Sequence, residues 1–200
     1  MQDRQDRRVL RNRTALIDAA VRLVSERGTT ALPVVDISDA ADVSRQLVYI
    51  QFGDRDALLV AAATDLVERE LIAAEAGDGN SSPHERLLAM ARHFARHRPF
   101  YRAMLTGSCA FPMSRALNRL FGSLITTAGL REVFGDLDET TAEDLKDLVT
   151  GGTGAIVNDW VIEAEDPLVP EELSARLLRV TSAFTRTRAS PTPPPGGHLG

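Results

Sequence analysis

The 200-residue chain has a single cysteine, Cys109, so no disulfide can form within it, and that thiol reads as a small buried hydrophobe. No apolar run reaches the ~18 residues that a membrane-spanning helix needs, and no signal-peptide pattern opens the sequence. Strand-like alternation bounded by turn signals is missing as well, which argues against a β-rich fold. An excess of basic residues is also absent. The net charge is −5, so bulk charge does not draw this chain to a polyanion. What is present is a 44% hydrophobic composition, enough to bury a sizeable core. The expectation is a soluble cytoplasmic protein, nearly all α, with one or two small domains.

Residues 34 to 52 hold two short amphipathic segments divided by a polar turn. Val34, Ile37 and Ala41 recur at i, i+3 and i+7, giving the first segment an apolar face. Pro33 suits a first helical position, because its fixed φ fits a helix start and its missing N–H costs nothing there. Asp42 occupies the turn and tolerates left-handed backbone better than most residues. Val43 returns to the core, and Ser44 is placed to cap the second helix. At about 100° per residue, Val48 and Phe52 share a core-facing side, Gln46 and Ile50 lie opposite, and Leu47 and Tyr49 flank them. That is the outline of a helix-turn-helix, whose second helix enters the DNA major groove. A groove-reading face needs groups such as these: Gln pairs with an adenine edge, and Ile or Leu meets a thymine methyl. Arg45 and Tyr49 are better placed for phosphate. On spacing alone, an ordinary helical hairpin with solvated polar residues fits equally well.

The flanks carry more. Residues 9 to 28 form a helix with Ile17, Ala20, Val21 and Val24 on one stripe, closed by Gly28. After Phe52, Asp54 can cap a fourth helix running to about residue 75. Ser25-Glu26-Arg27-Gly28, Asp36-Ile37, Ala41-Asp42-Val43-Ser44, Val48-Tyr49-Ile50-Gln51-Phe52 and Arg55-Asp56-Ala57-Leu58 follow in order. In these motifs the chain resembles the TetR family of bacterial transcriptional regulators, over residues 14 to 70. The resemblance implies a three-helix DNA-binding unit joined to a helical ligand-binding and dimerisation domain. It also implies that Ser44, Arg45, Gln46, Leu47, Tyr49, Ile50, Gln51 and Arg55 face operator DNA. The chain departs from the family at several positions. Leu32 stands where a Thr or Ser is usual, Ser38 where a small residue follows the isoleucine, and Asp42 where the turn has Gly. Gln46 stands where a small residue is common, and Ile50 and Gln51 where polar or basic ones are frequent. These changes leave the fold expectation intact and the operator sequence unread.

Charge placement matters more than its total. The first 72 residues hold 10 Arg against 12 acidic residues, a net of −2. Within residues 1 to 13, Arg4, Arg7, Arg8, Arg11 and Arg13 face Asp3 and Asp6, a net of +3. Such a segment reads either as a basic arm following the DNA backbone or as a solvated tail.

The organisation expected is a basic arm over 1–13, a DNA-binding domain over 14–54, a connecting helix over 55–75, a regulatory and dimerisation domain over 76–188, and a disordered tail over 189–200. Gly77 to Pro83 is a breaker-rich linker. Helices are expected from Pro83 to Arg98, over a short segment Phe100 to Leu105, over 113–134, from Thr141 to Glu165 and from Pro170 to Arg186. Pro191 to Gly200 cannot build a packed core. Leu173, Leu177, Val180 and Phe184 step by 4, 3 and 4, a seam for helix pairing. Gly151, Gly152 and Gly154 permit close backbone approach in the helix before it. The family resemblance suggests that these last two helices pair with their copies in a homodimer. Two-fold symmetry then sets the recognition helices ~34–36 Å apart on a near-palindromic operator.

Aromatic residues and Met concentrate in the C-terminal part. Phe94, Met104, Phe121 and Trp160 are candidate walls of a small-molecule pocket, with His97, Tyr101 and Asn158 as its polar groups; residues of this kind at helical spacing also build ordinary cores. His93 and His97 are four apart, but no Glu follows His93 as a metalloprotease helix requires, so they read as packed or surface histidines. Gly151 to Gly154 lacks dinucleotide-site spacing, and Ser108 and Cys109 lack a nucleophile motif. No cofactor, metal or membrane partner is called for. A helical protein-binding adaptor and a small all-α enzyme stand as the alternatives to a regulator.

Overall fold

The computed structural model describes residues 2–73 and 82–186; residues 77–81 of the linker, the Pro/Gly tail and the Phe184 side chain lie outside the described parts. Among the described residues every regular element is helical. The first four helices are α1 (Gln2–Arg27), α2 (Val34–Ala40), α3 (Arg45–Phe52) and α4 (Arg55–Val67). Leu16, Ile17, Ala20, Leu23 and Val24 line one face of α1 and are buried, as are Leu58, Leu59, Ala62, Ala63, Leu66 and Val67 on α4. These two stripes pack on each other, and α2 and α3 close over one end. Each fully buried aliphatic side chain contributes about 1.5–3 kcal/mol, so this small unit has a substantial core.

Helix ends follow local chemistry. Gly28 adopts φ 64° and its N–H donates to the Val24 carbonyl at 2.9 Å, ending α1 in the left-handed conformation that Gly tolerates best. Asp54 accepts from the Ala57 N–H at 2.7 Å and caps α4 as expected. The helix expected from residue 9 starts at Gln2, so the residues read as an arm extend α1. Pro33 is the N-cap of α2 rather than its first helical residue. Ser44 is the N-cap of α3 in position only, since its hydroxyl makes no capping bond.

Beyond Val67 the chain does not continue as an ordinary α-helix. Glu68–Ile72 forms a π turn, in which the Ala73 N–H reaches back five residues to the Glu68 carbonyl. The second half contains α5 (Pro83–Arg96), α6 (Arg98–Thr106), α7 (Ala110–Gly122), α8 (Thr127–Phe134), α9 (Glu139–Glu163) and α10 (Pro170–Arg186). Ser82 and Glu85 form a reciprocal capping box that starts α5. The single helix expected over 113–134 is two, broken after Gly122. α10 packs chiefly on α5, and α9 packs on α6 and α7. The halves meet chiefly where α1 lies on α6 and α4 lies on α7. Arg98 is a buried cation at the base of this arrangement, only 7% exposed, and it binds the carbonyls of Val161 and Ala164 and the Asp166 carboxylate.

Candidate functional site

The helix-turn-helix is built by its buried side. Ile37, Ser38 and Val48 are buried, and Val34, Ala41, Val43 and Phe52 pack partly against the same core. Ser38 fits because its hydroxyl donates to the Val35 carbonyl at 2.9 Å, so a polar group is buried without an unmet bond. Asp42 takes φ 54°, the left-handed turn its position demands, and the Val43 N–H donates to the Ser38 carbonyl at 3.0 Å. Leu32 fills the core beneath, which accounts for an apolar residue there.

With Val48 anchored, the outward side of α3 carries Arg45, Gln46, Tyr49 and Ile50. Ile50 is 70% exposed, an unusual position for a large apolar side chain unless something covers it. Leu47 is half-buried at the flank, and Ser44 is exposed at the N-terminal end. Two expected positions are placed differently. The Gln51 amide is turned inward, with both its Nε2 and Oε1 buried and unpaired. Arg55 is engaged with Asp56, its Nε donating at 2.8 Å, and Asp56 also accepts from the Ser108 hydroxyl at 3.0 Å. Arg13, read as part of a basic arm, stacks on the Phe52 ring at 4.5 Å and ties α1 to the end of α3.

A second site lies in the C-terminal half. A cavity of about 460 Å³ is lined by α5, α7, α9 and α10 and by the π turn. Phe94, Phe121 and Asn158 line it, as the sequence suggested. Leu71 and Ile72 of the π turn form part of its wall, and Asn118 with Thr153 adds polar groups near Asn158. Among the described residues, Arg86 is the sole charged one of the lining. The remaining expected residues lie elsewhere. Tyr101 and Met104 are fully buried in the core, Trp160 is nearly so, and His97 turns to Glu70. Large side chains at helical spacing filled the interior in these cases. Of the three glycines in α9, Gly154 meets a neighbour: a Cβ there would sit 2.9 Å from the Asn118 Oδ1, whereas Gly151 and Gly152 face open space. The seam on α10 divides similarly, with Leu173 and Leu177 buried within the chain and Val180 exposed.

The sequence reading missed one polar cluster. His93, buried in α5, places Nδ1 3.0 Å from a Glu70 carboxylate oxygen and Nε2 2.8 Å from the Tyr101 hydroxyl. His97 Nε2 lies 2.9 Å from the other Glu70 oxygen. Burial opposes ionisation of Glu70, yet the hydrogen bonds from His97 and His93 outweigh it and hold that carboxyl below its usual range. Burial pushes the His93 imidazole down to about 4. The histidine spacing was visible in sequence, but Glu70 lies 23 residues earlier and joins only through the fold.

Comparison with known proteins supplies the frame for both sites. Residues 16–62 match the family described as bacterial regulatory proteins, tetR family. The HTH-type transcriptional regulator BetI of Brucella suis is 30% identical over 176 residues, covering 83% of this chain and 86% of BetI. Among solved structures, Thermus thermophilus FadR, a TetR-family repressor in complex with lauroyl-CoA, matches with TM-score 0.61 and 20% identity, over 92% of this chain and 100% of FadR. RolR in complex with resorcinol matches with TM-score 0.57 and 22% identity, over 94% of this chain and 98% of RolR. The adaptor and enzyme alternatives find no support in these relatives. The chain therefore belongs to the tetR family of bacterial regulatory proteins and is a DNA-binding transcriptional regulator of helix-turn-helix type.

Proposed function

We propose that the chain acts as a homodimeric repressor, released from a palindromic operator by a small molecule held in the 460 Å³ cavity. The observation that carries this reading is the double membership of Leu71 and Ile72. They line the cavity and also belong to the π turn that continues α4, whose other end abuts α3. A ligand pressing on these side chains acts on the element that positions the recognition helix. It shifts the equilibrium only as far as it favours one arrangement over the other.

On the DNA side, Gln46, Leu47 and Ile50 meet base edges, while Ser44, Arg45 and Tyr49 hold phosphate. Arg55 and Gln51 join them after leaving Asp56 and the interior. The effector has a largely apolar body and a neutral or anionic head, because the described residues of the lining offer amides, hydroxyls and Arg86 but no carboxylate. FadR and RolR, with lauroyl-CoA and resorcinol, set the breadth of ligands to survey. The dimer forms through α9 and α10. Leu148, 61% exposed, shares a face of α9 with Gly152, and exposed Val180 continues the apolar surface on α10.

Selection of bound fragments from the source genome tests the reading, and a near-palindromic site should be enriched. Arg45→Ala should weaken binding across sequences and lower the salt slope by about 1, whereas Gln46→Ala should cost about 1–3 kcal/mol and relax specificity. The release mechanism is wrong if an effector that frees operator DNA leaves the distance between recognition helices unchanged in the crystal.

A further inference from the structure

Glu70, His93 and His97 each present one ligating atom, and these atoms all lie within 4.8 Å of one another. We propose that the three residues form a binding site for a divalent transition metal of the zinc class, pinning the π turn to α5. Two imidazole nitrogens and one carboxylate oxygen are a donor set that Zn²⁺ accepts, leaving a fourth position open. Bonds of about 2.0–2.2 Å in tetrahedral array require ligand atoms ~3.3–3.5 Å apart. Glu70 Oε2 lies 3.0 Å from both His93 Nδ1 and His97 Nε2, so an ion needs a small expansion of these contacts and an adjustment of the two imidazoles, whose ligating atoms lie within 4.8 Å of each other.

The surroundings supply what a metal-bound histidine needs. The Glu70 carboxylate can only accept, so His93 Nδ1–H donates to it and Nε2 accepts from the Tyr101 O–H. When Nδ1 binds metal, the ring proton moves to Nε2 and donates to the Tyr101 oxygen. The Tyr101 hydroxyl then turns to the Ala63 carbonyl, 3.5 Å away. His93 therefore keeps one ring proton throughout, with a fixed partner for its second nitrogen. One group opposes the ion: Arg96, whose Nη1 lies 3.3 Å from Glu70 Oε2 but whose side chain is mostly exposed and free to swing away. Placement gives the site its interest, since an ion there fixes Glu70, one residue before the cavity wall at Leu71 and Ile72. The proposal does not depend on any molecule in that cavity.

Co²⁺ titration of the EDTA-treated full chain, without an affinity tag, tests the assignment. The expected result is one ion per chain with the visible absorption of a low-coordinate site, displaced by Zn²⁺. Glu70→Gln and His97→Gln should each weaken binding by about 100-fold, and Tyr101→Phe by about 10-fold. Arg96→Ala, which removes the opposing cation, should tighten it. A double variant of the other two histidines, His84→Gln with His198→Gln, should bind as the parent does. Circular dichroism of each variant confirms that it has folded. Less than one ion bound by the parent, equal binding by folded Glu70→Gln and His97→Gln, or unchanged binding by Arg96→Ala would overturn the proposal.

Discussion

The Arg98 Nε donates to the Val161 carbonyl at 3.0 Å, so the last turn of α9 is held by a side chain from the first turn of α6. Helix C-termini leave carbonyls without intrahelical donors, and one guanidinium here serves both Val161 and Ala164. Arg98→Met leaves those acceptors unmet and should lower unfolding free energy by about 2–4 kcal/mol in urea denaturation. Arg98→Lys should recover less than half, because an ammonium cannot span the same fork.

Gly107 stands where the two halves meet. A Cβ there would lie 2.2 Å from the Thr30 Oγ1 and 2.9 Å from the Ala103 carbonyl oxygen. Gly107→Ala should cost about 1–3 kcal/mol by thermal denaturation. Adding Thr30→Ala should return part of that loss, with the remainder set by the Ala103 backbone.

Gln51 buries both polar atoms of its amide without a partner, a state that costs free energy whenever it persists. Gln51→Leu should stabilise the free protein by about 1–2 kcal/mol in urea. Weaker operator binding by the same variant, measured by fluorescence anisotropy, would show that the amide turns outward to DNA.

His93 gives the fold an acid-sensitive element. Its imidazole is pushed down to about 4, chiefly by burial, from an ordinary value near 6.5, and Glu70, His97, Arg96 and Tyr101 surround it. The unfolded chain takes up this proton below about pH 6.5, whereas the folded chain excludes it until about 4. Unfolding therefore binds a proton in that window, and stability falls as pH drops through it by up to about 3 kcal/mol. Urea denaturation in EDTA should show this slope in the parent and a shallower one in His93→Gln.

The framework was legible because it rests on periodicity. Ile37 and Val48 were placed inside by spacing alone, and Asp42 was matched to a left-handed turn. Exposure of Gln46, Tyr49 and Ile50 followed from the same rotation. Gln51 did not follow, since a flank residue can turn either way and spacing does not choose its rotamer. Tyr101, Met104 and Trp160 failed as pocket residues because a bundle fills its interior first with its largest side chains. The cavity instead borrows Leu71, Ile72 and Asn118 from separate elements, a meeting that no local pattern encodes. Five arginines in the first 13 residues drew attention to charge, yet Arg13 stacks on an aromatic ring.

The π turn has a consequence for timing along the helix rather than for any one contact. A bond from Ala73 to Glu68 accommodates one residue more than an α turn holds, and one residue is worth about 100° of rotation. The end of the turn, at Ala73, is therefore out of phase with α4. Glu70, which meets α5, and Leu71, which lines the cavity, both sit within that turn. A lineage that lost a single residue here would keep its DNA reader intact, yet present a different set of side chains to whatever the second half senses.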